Sequence, residues 1–280
     1  MKRVYFDSNV YAEIIRKHLK VENIKNILNE KKLQLAISSL NLFELASCWK
    51  SGNSSHINEG IKRAQLINGL LPCHFLDTIP TILLMEIDKA INNISFSPFC
   101  KDSQKTSFEN TISQLAQGVY DNNVKKFIEE TWEGKSIEIK EKIPQLIKNK
   151  EIFIPAKNFQ EFFIKNKEIQ LLLAEGKIHK NVLNIPNKHR KKVAKKMLRK
   201  SKQFPLFTTI IKANLFLDFR VLRFKALSHD TLDDLKHLIN ASYANVFVTG
   251  DNKLYKYSKE IQSDLEIFLQ NEFLSIKPTY

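Results

Sequence analysis

Two short apolar runs in this chain each end abruptly at a polar turn that carries an aspartate. Residues 4–6 lead directly into Asp7, and residues 246–248 lead through a threonine and a glycine into Asp251. Short, continuously apolar runs predict strands that are covered on both faces, as in a parallel sheet. Parallel sheets bind ligands beyond the carboxyl ends of their strands. If the two runs are parallel neighbours, Asp7 and Asp251 should therefore lie at the same edge.

The chain after Asp7 predicts a β-α-α-β opening. Residues 10–15 and 24–28 have helical spacing, and residues 33–37 alternate as a second strand. Ser38 and Ser39 then precede a helix that runs to Lys50, because serine is a favoured N-cap residue. Glu44 lies off the apolar stripe of this helix.

The middle of the chain has a different pattern from its two ends. Residues 51–203 are mostly amphipathic helical segments punctuated by proline and glycine, with no repeat and no alternation of strands and helices. Residues 207–224 and 254–261 predict helices, whereas residues 265–269 fit either a final strand or a further helical turn. We therefore predict an α/β core formed by residues 1–50 and 204–280, with residues 51–203 as a mainly helical insertion.

A third group of acids lies on a predicted helix before the second apolar run. Asp230, Asp233, Asp234 and His237 follow one another at i, i+3, i+4 and i+7, so they share one helix face. Clustered carboxylates repel one another unless a cation or the helix N-terminus offsets their charge. A position in the first turn is sufficient explanation for Asp230. We expect His237 to hydrogen-bond a neighbouring carboxylate and place it outside the catalytic set.

The formal net charge of +14 favours a polyanionic partner, with nucleic acid first among the candidates. The densest basic run, residues 189–200, is interpreted either as a solvated face or mobile loop or as a phosphate-binding surface. The whole-chain charge favours the second interpretation. Its candidate nucleic-acid-binding residues are Arg190, Lys191, Lys192, Lys195, Lys196, Arg199 and Lys200.

Cysteine usage and hydropathy indicate where the protein works. Cys48, Cys73 and Cys100 are odd in number and widely spaced, without a metal-binding spacing, which indicates a reduced protein. Neither a signal peptide nor a membrane span is visible in the sequence. We therefore expect a cytoplasmic location and no membrane partner.

The order of the acids resembles the acidic quartet of PIN-domain nucleases. Asp7 follows the first strand, Glu44 lies early in the helix after the second strand, Asp234 begins a late helix, and Thr249-x-Asp251 follows the next strand. Asp233 matches almost as well as Asp234, and the sequence leaves the choice open. The resemblance covers residues 1–50 and about 204–280, and it is carried by the order of these motifs more than by any one of them.

This resemblance implies a three-layer α/β/α, Rossmann-like core with a mainly parallel sheet, and a divalent-metal-dependent endoribonuclease activity. Asp7, Asp234 and Asp251 are the implied ligands of Mg²⁺ or Mn²⁺, and Glu44 is an implied ligand or acts through water. Carboxylate-bound metal of this kind orients a water and neutralises charge on the phosphate.

Two supporting roles and two alternatives complete the prediction. The resemblance places the Thr249 hydroxyl near the metal-bound water and lets Asn9 hydrogen-bond Asp7 or the metal. The long insertion departs from small toxin ribonucleases of the family and counts against an antitoxin-type partner, while a homo-oligomer stays open.

One alternative is a phosphatase or phosphotransferase with Asp7 as nucleophile, although a second acid at position 9 is lacking. The other is a catalytically silent PIN-like module that binds RNA or protein.

Overall fold

Five parallel strands form one sheet in the order β3-β2-β1-β4-β5 within the described part of the chain. The computed structural model describes residues 2–131, 150–182, 185–225, 229–262 and 264–275. The strands are β1 (Lys2–Phe6), β2 (Leu33–Ile37), β3 (His74–Phe75), β4 (Val246–Thr249) and β5 (Glu266–Leu269). The predicted α/β class with a parallel sheet is confirmed.

The central strand β1 pairs in parallel with β2 on one side and with β4 on the other. Phe6 is the register partner of Val248, so Asp7 and Thr249 leave the sheet at the same edge. The two apolar runs are therefore parallel neighbours, as predicted. Because the chain winds from β1 toward β3 and later returns to β4 on the opposite side, the β1/β4 boundary is where a parallel α/β sheet opens a ligand crevice.

Helices cover both faces of this sheet. Along β1, Val4 and Phe6 pack into one hydrophobic cluster and Tyr5 into the other, as the alternation of a strand requires. The α-helices that the described residues form, in chain order, are α1 (Ser8–Arg16), α2 (Val21–Glu30), α3 (Ser39–Lys50), α4 (Ser54–Gly69), α5 (Ile79–Asn92), α6 (Asp102–Ala116), α7 (Asn122–Thr131), α8 (Phe159–Lys165), α9 (Lys167–Asn181), α10 (Asn187–Arg199), α11 (Pro205–Phe224), α12 (His229–Asn240), α13 (Asn252–Ile261) and α14 (Gln270–Leu274).

The range 51–203, predicted to be mainly helical, also contains one strand, because β3 lies within it and pairs with β2. A strand of two residues is too short to produce an alternating pattern, so the sequence gives no sign of it. Helices from the same range also contribute to both clusters, with Ile112 in one and Phe162 in the other. The middle of the chain thus adds one strand to the sheet and also packs directly on it.

The C-terminal part follows the sequence pattern closely. The apolar segment predicted over residues 207–224 is α11, and β4 is followed by α13. For residues 265–269 the strand alternative is correct, since β5 pairs in parallel with β4. Among the described helices, none combines the length and the apolar character needed to cross a membrane.

Candidate active site

Asp7 lies where β1 ends and α1 begins, and it is only 1% exposed. One carboxylate oxygen accepts a hydrogen bond from the backbone N–H of Val10 at 3.1 Å, which caps α1. The other oxygen accepts from the hydroxyl of Thr249 on β4, and the backbone N–H of Gly250 lies 3.3 Å from it. Burial raises the pKa of Asp7, and the charge of His237 together with these hydrogen bonds only partly offsets that shift.

Thr249 links Asp7 to Asp251. Its hydroxyl donates to Asp7 and accepts from the backbone N–H of Asp251 at 3.0 Å. The Asp251 side chain caps α13 by accepting from the backbone N–H groups of Lys253 and Leu254 at 2.6 and 2.8 Å. The Asp7 side chain and the Asp251 backbone, which the strand pattern places at one edge, are therefore bridged by a single hydroxyl.

Gly250 allows the end of β4 to approach α1 closely. A Cβ atom at this position would lie 2.5 Å from Oε1 of Gln270 and 2.9 Å from Cβ of Asn9, which is closer than real contacts permit. Of the two roles that the resemblance allows for Asn9, the hydrogen bond to Asp7 is not formed among the described residues, where Asp7 accepts from Val10, Thr249 and Gly250. Asn9 is exposed instead, and it lines an open cleft of about 840 Å³ between α1 and α4.

Glu44 reaches the same edge from α3. One oxygen accepts from the hydroxyl of Ser8, and the other lies 3.0 Å from Nε2 of His237. Burial would lower the pKa of His237, but the charges of Glu44, Asp7 and Asp234 outweigh it and raise that pKa. Burial would likewise raise the pKa of Glu44, yet the charge of His237 and the hydrogen bonds from His237 and Ser8 lower it overall. The pair therefore favours a carboxylate facing an imidazolium.

A buried chain of polar groups holds the other nitrogen of His237. The Tyr5 hydroxyl lies 3.2 Å from Nδ1 of His237 and 2.9 Å from Oγ of Ser38. Asn41 accepts from the Ser38 backbone N–H at 3.0 Å and donates to the Phe6 carbonyl at 3.1 Å. Burial raises the pKa of Tyr5 well above its ordinary value, so its hydroxyl stays protonated. These contacts fix the orientation of the imidazole ring.

The expected role of His237 as the partner of a carboxylate is confirmed, whereas Tyr5 and Asn41 were missed. Tyr5 lies inside an apolar run and therefore looks like an ordinary core residue. The sequence did offer one signal. The Tyr5 hydroxyl lies on the face of β1 opposite Val4 and Phe6, and a buried hydroxyl needs a polar partner. Nothing in the local pattern indicated that this partner would come from more than two hundred residues away along the chain.

The structure separates Asp233 from Asp234 on α12. Asp233 is 66% exposed and forms an ion pair with Lys236, with Nζ and Oδ1 2.6 Å apart. Asp234 is half-buried, and its charge contributes to the raised pKa of His237. The sequence did not decide whether Asp233 or Asp234 is the third acid. Asp234 is thus the one that lies toward the edge of the sheet where Asp7 and Asp251 are found. The side chain of Asp230 lies outside the described residues.

The basic run forms a helix, α10, with most of its charges in solvent. Lys196 is half-buried and is not free to bind a phosphate in the same way as its neighbours, because its Nζ donates to the carbonyl of Ala90 at 2.7 Å. Arg190 is also half-buried. The exposed members of the candidate set are Lys191, Lys192, Lys195, Arg199 and Lys200.

The C-terminal end of α10 lies away from the acids. Ala90 lies one helical turn beyond Glu86 on α5, and Glu86 accepts from the hydroxyl of Tyr243, which lies shortly before β4 begins. Lys196 contacts Ala90, and Lys202 just beyond α10 lies 4.0 Å from Asp264, which precedes β5. The basic run and the acidic cluster are consequently associated with opposite edges of the sheet.

The donor set can be tested against the metal that the resemblance implies. Asp7, Asp234 and Asp251 offer only carboxylate oxygens, the ligand type that Mg²⁺ takes while it keeps several waters. Among the described residues no three His, Cys, Asp or Glu side chains form a ready-made metal-binding group. By ligand type alone, the three acids match a cation whose shell is completed by water and substrate.

Comparisons with known proteins assign no family. No protein-family model matches the sequence, and neither a curated protein nor a solved structure matches it. The resemblance to PIN-domain nucleases thus rests on the residues described above, and the function has to be argued from the edge at which β1 and β4 end.

Proposed function

We propose that this chain is a divalent-metal-dependent nuclease that hydrolyses phosphodiester bonds in RNA. One observation carries the proposal: acids from four distant segments lie around the edge where β1 and β4 end. The Thr249 hydroxyl bridges the Asp7 carboxylate and the Asp251 backbone, and Glu44 and Asp234 act on the same buried residue, His237. A cluster of titratable groups with shifted pKa values at such a boundary is typical of a functional site.

The residues at this edge have distinct roles in the proposed reaction. Asp7, Asp234 and Asp251 would hold Mg²⁺ or Mn²⁺, which when bound orients a water, lowers its pKa and neutralises charge on the phosphate. Glu44 is kept ionised by His237 and Ser8, so it can accept a hydrogen bond from a water near the phosphate. The hydroxyl and imidazole contacts fix the acids before substrate binds, which lowers the cost of reorganisation.

The choice of RNA follows from the resemblance to PIN-domain nucleases. The net charge of +14 supports a polyanionic substrate of either kind, because Lys and Arg release condensed counterions when they contact phosphates. Substrate affinity must come from such residues, since a carboxylate cluster repels phosphate on its own.

Binding without cleavage is the second candidate function, and one observation favours it. Asp7 is almost fully buried and both of its oxygens already accept hydrogen bonds. The same burial weighs against Asp7 as the nucleophile of a phosphatase, because a nucleophile needs an approach for its substrate.

Cleavage assays separate these functions. Purified protein is incubated with labelled RNA and single-stranded DNA, with and without Mn²⁺, alongside Asp251→Asn and the matched control Asp233→Asn. We expect RNA cleavage only with Mn²⁺, strongly reduced cleavage in Asp251→Asn at limiting Mn²⁺ and normal cleavage in Asp233→Asn. Binding of RNA without cleavage under all conditions would favour the silent module, and a trapped aspartyl-phosphate would favour the phosphotransferase.

A further inference from the structure

The open cleft of about 840 Å³ between α1 and α4, called the α1/α4 cleft below, begins beside the candidate active site. Gln270, the first residue of α14, also lines it. A Cβ atom at Gly250 would lie 2.9 Å from Cβ of Asn9 and 2.5 Å from Oε1 of Gln270, so both cleft residues contact the turn between Thr249 and Asp251. One end of the cleft therefore lies next to the backbone that carries Asp251.

Uncharged polar side chains line much of the α1/α4 cleft. Asn9 on α1 and Ser54 and Asn58 on α4 are exposed, so their hydrogen-bonding groups are accessible to a ligand. A carboxamide both donates and accepts, and it can form paired hydrogen bonds with the edge of a nucleobase. The two walls thus present base-compatible groups toward the same space.

The charged side chains of the cleft balance one another. Its lining includes two acids, Glu13 and Glu59, and two bases, Arg16 and Lys62. Glu13 is buried and forms an ion pair with Arg16, and Glu59 forms one with Arg63. A groove that follows a phosphate backbone carries an excess of basic residues. The α1/α4 cleft lacks that excess within its described lining, so it suits the uncharged parts of a nucleic acid better than the phosphates.

We propose that the α1/α4 cleft binds unpaired nucleobases of single-stranded RNA, with Asn9 and Asn58 as the side chains that hydrogen-bond the base edges. The choice of RNA rests on the proposed nuclease function, whose acids lie at one end of the cleft. The base edges of a duplex are already paired, and side chains cannot reach into the narrow major groove of A-form RNA. A cleft that reads bases therefore selects single strands, loops or bulges.

Binding in EDTA tests the proposal without any cleavage step. Fluorescence anisotropy compares a labelled single-stranded RNA with a strand of the same length that carries abasic sites. We expect the natural chain to bind the intact strand about tenfold more tightly, and the double variant Asn9→Ala/Asn58→Ala to reduce this preference to about threefold or less. The salt dependence of binding should stay the same in the double variant, because no phosphate contact is lost.

The control is Asn123→Ala, which removes an exposed carboxamide from α7 and should keep the full preference for the intact strand. Circular dichroism checks folding, and Asn58→Ala alone replaces the double variant if the latter is not folded. Equal affinity of the natural chain for both strands, an unchanged preference in the double variant, or the same loss in Asn123→Ala would overturn the proposal. Base-dependent binding through the cleft in a chain that does not cleave RNA with Mn²⁺ would support the cleft and contradict only the nuclease activity.

Discussion

Glu44 and Glu86 are two glutamates at opposite edges of the same sheet, and their partners give them opposite properties. Glu44 faces His237, whose charge and hydrogen bond outweigh burial and lower the pKa of the carboxyl. Glu86 is completely buried and accepts from neutral donors, namely the backbone N–H groups of Leu206 and Phe207 at 3.0 and 2.7 Å and the Tyr243 hydroxyl at 2.6 Å. Burial raises its pKa to about 7 despite these donors.

The difference shows that a buried carboxylate by itself does not indicate a catalytic centre. Glu86 satisfies the N-terminus of α11 and ties it to the turn before β4, which is a structural role. Glu44 belongs to a group in which acids and a histidine shift one another's pKa values at the edge where ligands of parallel sheets bind. The partners of the carboxylate, and the edge on which it lies, distinguish the two.

The largest expected effect is on the rate of catalysis, which should distinguish the two edges of the sheet. Asp7→Asn should lower the single-turnover rate of Mn²⁺-dependent RNA cleavage by roughly 10²–10³-fold, because metal-bound charge contributes several kcal/mol to the transition state. Glu86→Gln should leave the rate nearly unchanged. Equal losses in both variants would show that the comparison between the edges reflects stability alone.

The sequence predicted the acidic edge better than it predicted the opposite edge. Asp7 and Asp251 end apolar runs, so the local pattern and the parallel pairing were enough to bring them together. Glu86 followed an apolar run too, yet its partners come from more than a hundred residues away, and no local pattern encodes them. The strand β3 was missed for a related reason, because two residues carry no periodicity.

The next largest effect is expected in the pH dependence of stability, through the raised pKa of Glu86. Its pKa is raised from 4.5 to about 7, so its contribution to stability is complete below pH 4.5 and is lost as the pH rises through 7. The expected loss is about 3 kcal/mol in the free energy of unfolding. Urea unfolding between pH 4 and 8 should show this decline in the natural chain and in the exposed control Glu260→Gln, but not in Glu86→Gln. The same decline in Glu86→Gln would assign it to another group.

Two adjacent acids on α12, Asp233 and Asp234, give a more specific test of the edge at which β1 and β4 end. Asp234→Asn should reduce cleavage by roughly 10–100-fold, because the charge of Asp234 helps to raise the pKa of the buried His237. Asp233→Asn should cleave normally, since Asp233 is exposed and paired with Lys236. If Asp233→Asn proves to be the damaging change, the assignment of the third acid is reversed.

The smallest effect on catalysis is expected from α10. Replacing Lys191, Lys192 and Lys195 with Gln should reduce the log-log salt dependence of RNA binding by about two units, at ~0.7 per lost phosphate contact. Lys196 is kept because it supports the fold through Ala90. Cleavage at saturating RNA should persist, as the C-terminal end of α10 lies away from the acids. An unchanged salt slope would mean that this surface is only solvated.

The decisive measurement is the Mn²⁺ concentration at half-maximal RNA cleavage, compared between the natural chain and Asp251→Asn with Asp233→Asn as control. If the β1/β4 edge holds the catalytic cation, the half-saturating concentration should rise by about 10–100-fold in Asp251→Asn and stay constant in the control. An Asp251→Asn variant that cleaves with the same metal dependence and the same rate as the natural chain would contradict the assignment of this edge as the active centre.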